Sequence, residues 1–258
     1  MAARLRVAVI VLLTVAVVAF AASLPPVPQW AAYHDFADQR AFFGIPNFLN
    51  MVSNGLFVLA GAAGLRRLLA TERAPVFVQR RERWPYLAFF LGVALTGVAS
   101  AWYHLEPGNE RLVWDRLAMS VALMSWLAAV IAERIRVAAG LALLPALLTA
   151  GAAAVLYWGA TEVQGAGDLR AYGVVHFYPA LLIPLLILLF PPSYTRGGDV
   201  LVVLGLYGAA LAAELFDRHI FALGGLLSGH TLKHILAALA AYWVLRMLRL
   251  RRPCSPYP

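Results

Sequence analysis

Eight long apolar runs constrain this chain more than any other feature. They lie at about 5–23, 48–69, 85–105, 112–133, 138–158, 171–190, 199–216 and 230–250. A helix crosses the hydrocarbon core of a bilayer with roughly 20 consecutive apolar residues. The runs are continuous rather than alternating, which argues against a transmembrane β-barrel. Only 13% of the residues are charged, whereas a soluble domain carries about a quarter. Polar side chains are too few to clothe a water-facing surface. The expected fold is all-α, a polytopic transmembrane helical bundle. Proline and glycine punctuate it at Pro25, Pro26 and Pro28, at Pro107 and Gly108, and at Pro191, Pro192, Gly197 and Gly198. No internal repeat or low-complexity segment is visible.

A net charge of +8 and an isoelectric point near 10.1 would suit a nucleic-acid binder. The arginines, however, occupy the short gaps where they set membrane topology, so no nucleic-acid partner is expected. Arg4 and Arg6 precede the first run, and Arg66, Arg67, Arg73, Arg80, Arg81 and Arg83 crowd the second gap. Arg134 and Arg136 mark the fourth gap, Arg196 the sixth, and Arg246, Arg249, Arg251 and Arg252 close the chain. The alternate gaps are poor in arginine, which predicts that both termini are cytoplasmic. The first run also reads as a signal peptide, with Arg4 and Arg6, Val7–Ala19 and the small residues Ala21, Ala22 and Ser23 in order. An uncleaved anchor is the preferred reading. Cys254, the one cysteine, lies in a polar tail, so neither a disulfide framework nor a thiolate cluster is expected.

Ionisable residues at membrane depth are costly and mark functional positions. The third run ends outward in Ser100-Ala101-Trp102-Tyr103-His104, and the fourth starts inward with Trp114-Asp115-Arg116. The last begins at the same face with His230-Thr231-Leu232-Lys233-His234. His230 and His234 are four apart, share a helix face and can chelate one ion. His104 would complete a three-histidine set with an open position, the arrangement of catalytic zinc. Asp115 then suits a general base and Ser100 an oxyanion donor, a kit for amide or ester hydrolysis. Plainer readings exist for each. Asp115 can serve a helix N-terminus, Ser100 can be a small packing residue, and Lys233 is expected to snorkel. His176 and Glu214 are candidates to orient an imidazole, or else solvated side chains. His34, Asp217 and His219 fall in outer loops. Gly205 and Gly208 read as close helix packing.

These residues together resemble the alkaline ceramidase family, within the CREST superfamily of seven-helix membrane hydrolases that also includes adiponectin-type receptors. The matching elements are Asn50-Met51-Val52-Ser53-Asn54, Ser100-x3-His104, Asp115 eleven residues later, and His230-x3-His234. The resemblance implies zinc on His104, His230 and His234, water activation by Asp115 and oxyanion assistance by Ser100. It implies hydrolysis of the N-acyl amide of ceramide or a ceramide-like membrane lipid, to a long-chain amine and a fatty acid. The family also has an acidic N-terminal segment that binds calcium. The corresponding stretch here is Tyr33-His34-Asp35-Phe36-Ala37-Asp38, with Asn47 where an acidic ligand is expected. That departure makes calcium doubtful, with Asp35, Asp38 and Asn47 as oxygen donors for it.

On this reading residues 1–24 form an N-terminal transmembrane anchor, or uncleaved signal-like helix, and 25–47 an outer-face segment. Residues 48–252 form the seven-helix ceramidase-like domain and 253–258 a cytoplasmic tail. The short loops and Ala/Leu/Arg-rich composition point to a bacterial plasma-membrane protein, for which the lipid can differ from ceramide. Two other classes fit the same residues. One is a CREST-type receptor with a structural zinc. The other is a transporter using the histidines as a proton relay.

Overall fold

A computed structural model describes residues 3–70 and 77–254. Helices form at all eight apolar runs, because in hydrocarbon every backbone N–H and C=O must find its partner within the segment. They are α1 (Ala3–Ser23), a pair α2 (Phe48–Ser53) and α3 (Gly55–Leu69) that divide the second run, α4 (Arg83–Leu105) and α5 (Asn109–Arg134). There follow α6 (Val137–Val163), α7 (Arg170–Leu189), α8 (Asp199–Leu215), the short α9 (Asp217–Ala222) and α10 (Gly229–Leu250). Seven of the spans are long and apolar enough to cross a membrane, as in a multi-pass membrane protein. The remaining one, α8, has 17 residues, at the lower edge of the usual range. Apart from two isolated bridges, the described residues contain no β-structure.

Two boundaries differ from expectation for local reasons. α6 continues past residue 158 through Ala160, Thr161 and Glu162, because the Glu162 carboxylate accepts from Trp158 Nε1 at 3.0 Å and from the Gln29 amide. That pair holds the last turn of α6 against the segment after α1. The second run divides at Asn54, whose N–H bonds to the Met51 carbonyl at 3.3 Å, a tightened local turn.

α4 packs between α3 and α5, and α5 also meets α6 and α7. On the other flank α10 joins α3 to α8, while α1 rests mainly on α7. α5 is the most enclosed helix, with 72% of its spanning window buried, against none for α1. Small residues allow this: Ala118, Ser120, Ala122, Ser125, Ala128 and Ala129 of α5 are buried, and small side chains let membrane helices approach closely. At Gly61 of α3 a Cβ would lie 2.6 Å from the Ala94 nitrogen of α4, and at Gly92 of α4 one would lie 2.6 Å from the Ala122 nitrogen of α5. Gly205 and Gly208 do not play the packing role expected of them. A Cβ at either would meet nothing within 4 Å, because α8 turns both outward.

The arginine-rich end of the bundle is closed by buried pairs. Arg251 pairs with Glu133, which also accepts from the Tyr86 hydroxyl at 2.7 Å. Tyr194 donates to Glu82 at 2.6 Å and accepts from the Val78 amide. Burial and the neighbouring Glu82 carboxylate push the Tyr194 phenol up, so it remains a donor. Pro253 and Cys254 belong to this closure rather than to a free tail: Cys254 N–H bonds to the Ser193 carbonyl at 3.0 Å and Thr195 N–H to that of Arg252 at 2.8 Å. Arg73 and residues 255–258 of the expected tail lie outside the described residues.

Candidate metal centre

Three imidazoles meet at the end opposite this closure. His104 sits in the last turn of α4, and His230 and His234 occupy the first two turns of α10. Their ligand atoms all lie within 4.8 Å of one another, and all three residues are buried. His104 Nε2 and His230 Nε2 are 3.3 Å apart. Two nitrogens each about 2.0–2.1 Å from one tetrahedral ion are about 3.3–3.4 Å apart by geometry. The donor set therefore fits a metal ion, and its soft-to-borderline nitrogens suit a first-row divalent cation. The register arises simply: Ser228 caps α10 by accepting from the Thr231 amide at 3.1 Å. The helix start is thereby set so that residues 230 and 234 face inward together.

Further side chains orient the rings. Ser53 Oγ donates to the Asn50 carbonyl at 3.0 Å, so at 2.8 Å from His234 Nδ1 it acts as acceptor. This holds the His234 proton on Nδ1 and leaves Nε2 bare for an ion. Asn50 Oδ1 accepts from the Thr231 hydroxyl at 2.6 Å, and its Nδ2 donates to the Asp38 carbonyl at 3.1 Å. Asp217 accepts from the His230 amide and from the Ala37 amide, each at 2.8 Å. It thus ties the first turn of α10 to the 25–47 segment. From that segment the Phe36 ring stacks 4.7 Å from His104 and 4.4 Å from His230, centroid to centroid. His104 Nδ1 has no hydrogen-bond partner among the described residues.

Behind the histidines lies an apolar cavity of about 360 Å³, walled by α4, α5, α7, α8 and α10. His234, Ser100 and Asp115 all line it. Asp115 is the seventh residue of α5, nearly two turns in, where the helix-terminus effect has faded. It is not a capping residue. Asp115 Oδ1 is buried with no partner among the described residues. Beside it Arg116 is buried against the rings of Trp158, Tyr172 and Tyr33 at 4.1, 4.7 and 5.4 Å and donates to Gln29. Burial first, and the Glu214 charge second, push the Tyr33 phenol up, so it too remains protonated. Lys233 does not snorkel. Its ammonium is 2.7 Å from Glu214 Oε1, and both residues line the cavity. α7 and α8 both wall it and pack mainly on other partners, α7 on α5 and α6 and α8 on α10, with the His176–Tyr207 hydrogen bond linking them.

The remaining sequence candidates have other surroundings. Glu214 Oε1 lies 3.6 Å from His230 Nδ1, beyond hydrogen-bond distance, and its close partner is Lys233. His176 is engaged elsewhere. Its Nε2 is 2.8 Å from the Tyr207 hydroxyl and its Nδ1 3.3 Å from that of Tyr172. His34 lies between Tyr103 and Asn109, at 2.8 and 2.9 Å, and His219 packs on Phe216. The calcium candidates are engaged separately. Asp35 pairs with Arg218, Asp38 takes both Arg40 nitrogens at 2.8 Å, and Asn47 Nδ2 donates to the His104 carbonyl at 3.0 Å. Burial raises the Asp38 carboxyl, but the hydrogen bonds and charge of Arg40 outweigh it and hold it below the usual carboxylate range.

No protein-family model matches the chain, and no curated protein matches it significantly.

Proposed function

We propose that the protein is a zinc-dependent membrane amidohydrolase that cleaves the N-acyl amide of a ceramide-like lipid. One observation carries the reading: of three convergent imidazoles, that of His234 lines a large apolar cavity that Ser100 and Asp115 also line. A proton relay does not need three histidines to converge, and a structural ion does not need a cavity of ligand size. The order Ser100, His104, Asp115, His230 and His234 supports it further through its resemblance to the alkaline ceramidases. The arginine distribution supports a site toward the outer face of a bacterial plasma membrane, with cytoplasmic termini.

Zinc held by His104, His230 and His234 would polarise the amide carbonyl and lower the pKa of water to about 7. Asp115 takes the proton of the attacking water as its oxygen bonds to the acyl carbon. Ser100 donates a hydrogen bond to the carbonyl oxygen as charge develops there. Asp115 then returns the proton to the amide nitrogen, the C–N bond breaks, and a fatty acid and a long-chain amine leave. The apolar cavity keeps bulk water from the site and holds the lipid.

The test is paired. Purified protein and His234→Ala are assayed for bound metal by mass spectrometry and for fatty-acid release from a panel of N-acyl lipids. About one zinc per chain, with zinc and hydrolysis both lost in the variant, is expected. A folded, metal-free wild type overturns the reading, and stoichiometric zinc without hydrolysis turns it toward a receptor.

A further inference from the structure

α7 separates two voids. Leu169, Gly173 and Phe177 are four apart and form one ridge along it, and all three line both the catalytic cavity and a second groove of about 480 Å³. That groove runs between α7 and α1, with Val17 and Ala21 on its α1 side. The middle of the ridge is a glycine, and a Cβ at Gly173 would meet nothing within 4 Å. The ridge is therefore notched where the two voids lie side by side.

The polar groups bordering the groove are already engaged. Tyr178 donates to Thr14, whose own proton is on the Ile10 carbonyl. Arg170 binds Asp168 and reaches the carbonyls of Ala22 and Leu24 at the end of α1. This clamp joins α1 to α7 at the histidine-proximal end of the groove. What remains open is lined by hydrocarbon and lies along the spanning helices, so a polar ligand has nothing to bond and an alkyl chain fits.

We propose that the α1–α7 groove holds one alkyl chain of the lipid whose amide occupies the cavity, the chain crossing α7 at Gly173. This rests on the lipid-hydrolase reading. It makes α1, the helix outside the seven-helix core, part of the lipid site.

The experiment uses full-length protein in nanodiscs with a diazirine-bearing long-chain N-acyl amine, its adducts mapped by mass spectrometry. Adducts at Val17 and Ala21 that unlabelled long-chain lipid competes away are expected, while adducts at the exposed Leu12 and Val15 resist competition. Gly173→Trp fills the notch and should abolish the competed adducts, whereas Gly173→Ala should retain them. Ala21→Trp, which plugs the groove from α1, should act like Gly173→Trp, and bound metal per chain reports that each variant is folded. Adducts at Val17 and Ala21 that resist competition, or that survive both tryptophans, mean that the groove holds only bulk lipid and overturn the proposal. Wild-type hydrolysis, measured alongside, separates the two ideas. Turnover without competed groove adducts defeats the groove alone, and competed adducts without turnover defeat the hydrolase alone.

Discussion

Both ends of the bundle bury charged and polar groups, and they treat them differently. At the arginine end Arg251 meets Glu133 directly, Tyr194 meets Glu82, and the adjoining void is only about 10 Å³. At the histidine end Asp115 Oδ1 and His104 Nδ1 are buried without partners among the described residues, next to a cavity of about 360 Å³. Arg251 also keeps Nε and Nη2 buried without partners among the described residues, so what separates the two ends is the space beside the buried groups. Buried polar atoms left open beside a cavity are costly unless something binds there. The difference in volume teaches which end has room for a ligand.

The strongest way to break the contrast is at the ligands. His104→Ala should lose bound zinc and reduce fatty-acid release to background, read by metal analysis and product quantification on one preparation. Asp115→Asn should keep the metal and lower hydrolysis by on the order of 10²–10⁴-fold; an unaffected rate would remove Asp115 from the chemistry. At the other end, Arg251→Met leaves Glu133 buried without its partner and should cost about 3–5 kcal/mol of stability. Thermal unfolding would show it, with zinc content unchanged in the folded fraction. Ser53→Ala removes the acceptor that fixes the His234 tautomer and should weaken metal affinity roughly 10–100-fold, measured by chelator competition.

The smallest effect concerns Asp168, which clamps Arg170. Hydrogen bonds from Arg170 lower its carboxyl below the ordinary range, although burial opposes them. A depressed native pKa contributes stability above the unfolded value, about 3.9, that is lost as pH falls toward the native one. Asp168→Asn should therefore lower the melting temperature by a few degrees or less at pH 7, and the gap should narrow at pH 3. An equal gap at both values would mean that the clamp acts through shape alone.

The helices and the three histidines were legible because each depends on local pattern. Continuous apolar length marks a span, and four-residue spacing with alternating helix direction brings His104, His230 and His234 to one level. What supports them was not. Ser53 meets His234 across 181 residues of sequence, and Asn50 was visible only within a weak motif. Asp217 looked like a loop acid, yet it accepts from the first turn of α10. Lys233 misled because snorkelling is the default for a lysine near a helix end, and only the fold reveals Glu214 within 2.7 Å. Gly205 and Gly208 misled because a glycine permits close packing without requiring it.

Phe36 has a consequence for timing. Its ring covers two of the three imidazoles, and Asp217 fastens its neighbour Ala37 to the helix that carries His230 and His234. Affinity for an ion depends on the nitrogens, but the rate at which an ion enters or escapes past Phe36 depends on how often that cover lifts. On the side of His104 and His230 an ion's approach depends on undocking of the 25–47 segment, whereas His234 faces the cavity.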